Sequence, residues 1–155
     1  MGLLKFLPQV NRFCWCTRNL KCASFTIIIV GMITGVNTAG FLCMPPCKEL
    51  YEVSSPMKLV ANVFRWLLFS SELLLLASIF GFLLGIFYSI RVTADVLICT
   101  AIVKCIISAL YGILILVQEQ FTHCRWYTSQ IFHLVIYIMM WCYFIIVVNS
   151  YQDKM

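Results

Sequence analysis

The sequence predicts an all-α membrane protein, a four-transmembrane-helix bundle with both termini in the cytoplasm (N-in/C-in). Three observations predict it. The chain of 155 residues is 63% hydrophobic with a mean hydropathy of +0.97, and a soluble domain of this size needs far more polar surface. Four apolar runs, at 22–43, 66–90, 94–117 and 126–148, each reach the ~20 residues that a helix needs to cross the hydrocarbon core. Lys and Arg are also distributed unevenly about those runs, which sets orientation.

The elements follow in order. Residues 1–21 form a cytoplasmic segment with Lys5, Arg12, Arg18 and Lys21 and no acid. Arg91 in the second connection and Lys154 in the tail fall on the same side. Lys48, Lys58, Arg65 and Arg125 fall opposite, diluted by Glu49, Glu52 and Glu119. The first span could instead be a cleaved signal peptide, with 24–36 as its apolar region and Asn37-Thr38-Ala39 as a loose cleavage site. The long cysteine-bearing lead and the apolar Gly40-Phe41-Leu42 favour a retained anchor. A first loop at 44–65 leads to the second span. Short connections then join the third and fourth, and 149–155 is a short cytoplasmic tail. The transmembrane domain thus covers 22–148 and leaves no room for a folded soluble domain.

Small residues recur every fourth position in three spans: Gly31, Gly35 and Ala39; Ala77, Gly81, Gly85 and Ser89; Ala101, Cys105 and Ala109. Residues four apart share a helix face, and such grooves let helices approach closely in lipid, where little hydrophobic drive exists between them. The first and second spans are therefore the expected tight pair. The fourth span has no Gly or Ala. Trp126, Tyr127, Tyr143 and Tyr151 stand near its ends, as interfacial anchors do, and Trp66 and Tyr88 do so for the second.

Glu72, Lys104 and His133 lie inside spans, and ionisable groups are costly there. At about 1.5 Å per residue, Glu72 and His133 enter from the lumenal side to similar depths, so a Glu72–His133 pair is reasonable. Lys104 sits near the midplane and would have to extend its stem upward to meet Glu72. The cluster either binds an ion, proton or polar lipid, or fixes the bundle through interhelical hydrogen bonds. The structural role is the expectation. If the second span began at Leu73, Glu72 would be merely interfacial.

The nine cysteines divide by depth. Cys14, Cys16 and Cys22 flank the first span on the cytoplasmic side and are possible palmitoylation sites. Cys43, Cys47 and Cys124 fall on the opposite side, where disulfides are permitted, and the pairing stays open. Cys99, Cys105 and Cys142 are expected as small packing residues. Met1-Gly2 lacks the Ser or Thr that myristoylation wants at position 6, which is Phe6. No metal site is expected: Cys14-Trp15-Cys16 has the wrong spacing for a zinc knuckle, and the adjacent His123 and Cys124 point apart. There is no phosphate loop, zinc-protease helix or nucleophile elbow, so neither an enzyme nor a cofactor is expected. The scattered basic residues exclude a nucleic-acid-binding domain.

The run Cys14-Trp-Cys-Thr-Arg-Asn-Leu-Lys-Cys-Ala23, followed by Phe25-Thr-Ile-Ile-Ile-Val-Gly31, resembles the opening of a family of small four-span membrane proteins of insects. In that family clustered cysteines precede a Ser-Leu-Arg-Thr-Gly-like stretch and an Ile-rich helix containing Gly. Here Asn19-Leu20-Lys21-Cys22-Ala23 stands at that stretch. The family is similar to the lysosome-associated four-span transmembrane proteins. The resemblance implies a non-enzymatic protein with cytoplasmic termini that acts as a scaffold, adaptor or trafficking modulator. Its location would be the endolysosomal or plasma membrane. Its partners would be the lipid bilayer and other membrane proteins, or a second copy, met through small-residue helix faces. The lysosomal relatives carry Pro-Pro-x-Tyr tails, whereas this chain ends in Ser150-Tyr-Gln-Asp-Lys-Met155. The alternatives are a small transporter or channel subunit using Glu72, Lys104 and His133, and an epithelial junction protein using the 44–65 loop.

Overall fold

The structure, a computed structural model, describes residues 20–43, 55–119 and 126–152. They form four α-helices: α1 (Leu20–Cys43), α2 (Ser55–Tyr88), α3 (Val92–Glu119) and α4 (Trp126–Gln152). Each contains a stretch long and apolar enough to cross a membrane: Lys21–Gly40, Leu59–Tyr88, Val92–Val117 and Gln130–Gln152. Apolar side chains also cover the outside of the bundle; Ile33, Leu74, Phe132 and Met139 are all well exposed.

All four helices exceed the spans expected from hydropathy, α2 by the most. α2 has 34 residues and runs roughly 50 Å, because 55–65 are helical rather than part of the first loop. Ser55-Pro56 opens it, and proline suits the first helical turn, where no intrahelical donor is needed. Arg65 is not in a loop. From α2 its Nε donates to the Leu42 carbonyl at 2.6 Å, meeting one of the acceptors that α1 leaves open in its last turn. α4 continues to Gln152, so 149–152 belong to the helix rather than to a tail. Asn149, Ser150 and Gln152 are buried.

The α2–α3 hairpin is the most extensive helix contact and α3–α4 the next; α1 meets α2 less and α4 least. The tightest pair is therefore α2–α3 rather than the first two spans. Its turn explains part of this. Ser89 adopts φ 55° just past α2, and the Ile90 amide donates to the Gly85 carbonyl at 2.9 Å. That six-to-one bond is the Schellman helix end, here with serine at the left-handed position. Thr93 then folds back over Gly85: a Cβ there would overlap Thr93 Oγ1 and lie 2.7 Å from its Cβ. The Thr93 hydroxyl donates to the Ile90 carbonyl at 2.7 Å.

The main core joins all four helices. Ile27, Phe82, Leu97, Trp141 and Val148 are almost fully enclosed within it. On α4 the buried positions Tyr137, Trp141, Phe144 and Val148 follow helical spacing. Tyr151 belongs to this core rather than to an interfacial belt: it is 8% exposed and meets the Phe82 ring edge-on at 6.4 Å. Trp66 and Tyr88 are strongly exposed on α2.

Candidate functional site

The site begins with a side chain that costs much to bury. Glu72 lies in mid-α2 at 0% exposure and Lys104 in α3 at 1%. Their partners explain how both are tolerated. Lys104 Nζ lies 2.5 Å from Glu72 Oε2 and donates to the Leu68 carbonyl at 3.1 Å. Tyr137, from α4, donates its hydroxyl to Glu72 Oε1 at 2.8 Å. The ammonium also lies 5.8 Å from the centre of the Tyr137 ring, within cation–π range. Paired and hydrogen-bonded charges can be kept in a medium that would reject either alone.

α1 completes the enclosure. A Cβ on Gly35 would stand 3.0 Å from Glu72 Oε1 and 2.8 Å from Leu76 Cδ2. Glycine therefore lets the α1 backbone close over the carboxylate. One turn earlier, a Cβ on Gly31 would stand 3.1 Å from Ile79 and 3.3 Å from Trp141. His133 joins the edge of the cluster. Its ring stacks with Tyr137 at 6.4 Å between centres, and its Nε2 lies 3.4 Å from the Thr38 hydroxyl of α1.

Of the three ionisable residues within the apolar helices, then, the direct ion pair is Glu72–Lys104, and His133 enters through Thr38 and Tyr137. Lys104 meets Glu72 because its stem spans the turn of helix between them. Glu72 is fully enclosed rather than interfacial. Sequence reading missed Tyr137. Its spacing four after His133 and four before Trp141 marks a shared face, but one tyrosine in an aromatic-rich span carries no signal of its own. It also missed two polar links between helices. The Ser78 and Thr100 hydroxyls are 2.8 Å apart across α2–α3. Gln152 Nε2 donates to Asp95 Oδ1 at 2.7 Å across α3–α4.

The small-residue series divide. Gly31 and Gly35 face the interior, and Ala39 is half-buried. They receive Ile79, Leu76 and Trp141, not the small series of α2. In that series, Ala77 is exposed and Gly81 has nothing within 4 Å of a Cβ. Gly85 is filled by Thr93, and Ser89 lies in the turn beyond the helix.

Cys43 is a free, exposed thiol at the end of α1, so the structure forms no disulfide there; Cys47 and Cys124 lie outside the described residues. Cys22 is free and exposed, whereas Cys14 and Cys16 lie outside the described residues. Cys99 is exposed on the outer face of α3 rather than packed, whereas Cys142 of α4, though exposed, meets the half-buried Cys105 of α3 across the helix contact. Among the described residues no three His, Cys, Asp or Glu side chains gather in a way that would hold a metal ion.

Comparison with protein families, with characterised proteins and with solved structures finds no match to this chain.

Proposed function

We propose that this chain is a non-enzymatic integral membrane protein with cytoplasmic termini, acting as a scaffold, adaptor or trafficking modulator through helix–helix association in the bilayer. The observation that carries the reading is the open part of the α2 small-residue series. Gly31, Gly35 and Gly85 are used up by the chain's own side chains. Ala77 and Gly81 are left as a shallow notch on the outer face, with open space at Gly81. In lipid such a notch is where another helix packs, through close backbone approach and dispersion. The resemblance to four-span adaptors agrees with this and leaves the endolysosomal and plasma membranes as the locations to examine.

The test is a double variant, Ala77→Leu with Gly81→Leu, expressed at natural level. It should fold normally, since neither position touches the core, and should lose the membrane proteins that co-purify with the wild type. If every partner is retained, the notch is not the docking face and the reading fails.

The convergence of four helices on Glu72 and Lys104 supports a second reading, a small transporter or channel subunit. It requires pH-dependent flux in reconstituted vesicles that Glu72→Gln removes. Vesicles of the wild-type protein without such flux dispose of it.

A further inference from the structure

Asn37 is a polar side chain on the outside of α1. The threonines around it are satisfied within the helix: Thr34 and Thr38 donate to the carbonyls of Val30 and Thr34 at 2.8 Å each. The Asn37 side chain has no hydrogen-bond partner among the described residues. Arg65 binds the Leu42 carbonyl in the last turn of α1. Asn37 lies inside the apolar stretch Lys21–Gly40, about 4–5 Å from its end. If that stretch crosses a bilayer, the lipid chains offer the amide no hydrogen-bond partner. An unpaired amide there is costly.

Its surroundings carry a pattern. Thr26, Val30, Ile33, Asn37 and Gly40 follow one another at alternating spacings of four and three. That is the seam of a left-handed helix pair, with asparagine at one of its inward positions. Val30 is half-buried by the bundle; the other four are exposed, and Gly40 has nothing within 4 Å of a Cβ. A single asparagine in such a seam fixes register and partner number. The primary amide both donates and accepts, so it is complementary to itself across a two-fold axis.

We propose that α1 pairs with α1 of a second copy of this chain, in parallel, with Asn37 hydrogen-bonded to Asn37 of the other copy. The inference rests on the proposed insertion in a bilayer and on helix association as the mode of action. It uses a different face from the Ala77–Gly81 notch. Copies in one membrane with the same topology are related by an axis along the membrane normal, which is the arrangement that brings the two amides together at equal depth. Gly40 on the same seam lets the backbones converge one turn beyond the amides.

The full chain, labelled at its N-terminus with donor or acceptor dye, is reconstituted in phosphatidylcholine vesicles across a range of protein densities. Energy transfer should rise with density and fall when unlabelled chain is added. Asn37→Leu should move the midpoint to about tenfold higher density, while Asn37→Gln, which keeps the amide, should stay within about threefold of the wild type. A photo-crosslinker replacing Ile33 should give a covalent dimer, and one replacing the equally exposed Ile113 of α3 should not. Wild-type transfer no greater than random proximity, or an unchanged midpoint in Asn37→Leu, overturns the proposal. Partner capture by a chain that shows no self-transfer would reject the dimer and leave the α2 docking face standing. A dimer without other partners would reject the docking face alone.

Discussion

Between α2 and α3 the contact is polar, short-range and repeated: the Thr93–Gly85 turn, the Ser78–Thr100 hydroxyl pair and the Lys104–Glu72 ion pair. Between α1 and α4 it is mostly one large side chain over one small one, Trp141 against Gly31, with the Thr38–His133 contact above. Both junctions bury apolar surface, but in lipid that surface has an almost equal alternative in the acyl chains. The difference therefore lies in what the unpaired state would leave behind. Separating α2 from α3 strands two charges, whereas separating α1 from α4 loses the Thr38–His133 contact and leaves the Thr38 hydroxyl bonded to the Thr34 carbonyl. The α2–α3 hairpin is the junction that cannot come apart at low cost, whereas the α1–α4 junction can loosen while α1 stays held to α2 through Gly35 and the Arg65–Leu42 bond.

The largest effect is expected at the ion pair. Lys104→Met leaves the Glu72 carboxylate enclosed with only the Tyr137 hydroxyl, and should cost about 3–5 kcal/mol. Glu72→Leu with Lys104→Met removes both charges and should recover most of that loss, because a matched apolar pair of similar volume needs no desolvation. The check is a double-variant cycle on unfolding in mixed micelles, where denaturant midpoints report each state. Additive single effects would mean that the two side chains do not act together, and the hairpin would lose its distinction.

Two glycines of α2 in unlike surroundings should differ by a smaller amount. Gly85→Ala drives a methyl group into Thr93 at the turn and should destabilise by about 1–3 kcal/mol. Gly81→Ala, one turn away on the same helix, meets open space, and alanine is the better helix former. It should be neutral or stabilise by up to about 1 kcal/mol. Thermal unfolding of both variants in the same detergent decides the matter. Equal losses would show that the small series acts as one groove, as its even spacing suggests, and not as the divided set that the structure presents.

How much of this could be read from the sequence depends on the kind of signal. The four spans were legible because length and apolarity alone define them. The start of α2 was not: Lys58 and Arg65 look like loop residues, yet Arg65 is helical and caps α1. The ionisable residues were legible as exceptions, since each is costly in lipid. Their pairing was only half legible. Counting rise per residue put Glu72 and His133 level and Lys104 one turn off, and rise per residue takes no account of a flexible stem several ångströms long. The glycines were legible as small but not as inward or outward facing, because a four-residue repeat drifts around a helix of 3.6 residues per turn. Gly85 and Ala77, in one series, therefore end on different sides.

The smallest effect probes the weaker junction. Thr38→Val removes the hydroxyl facing His133 while keeping the side-chain volume. Interhelical hydrogen bonds of this kind average about 0.6 kcal/mol in membranes, so the loss in the same micelle assay should stay below about 1 kcal/mol. α1 should nevertheless respond where global unfolding does not. Amide exchange along Thr34–Gly40 should quicken in Thr38→Val while exchange in the α2–α3 hairpin is unchanged, since local opening follows the weakest contacts first. Parallel acceleration in both regions would mean that the two junctions open together, and the bundle would then have to be described as one cooperative unit.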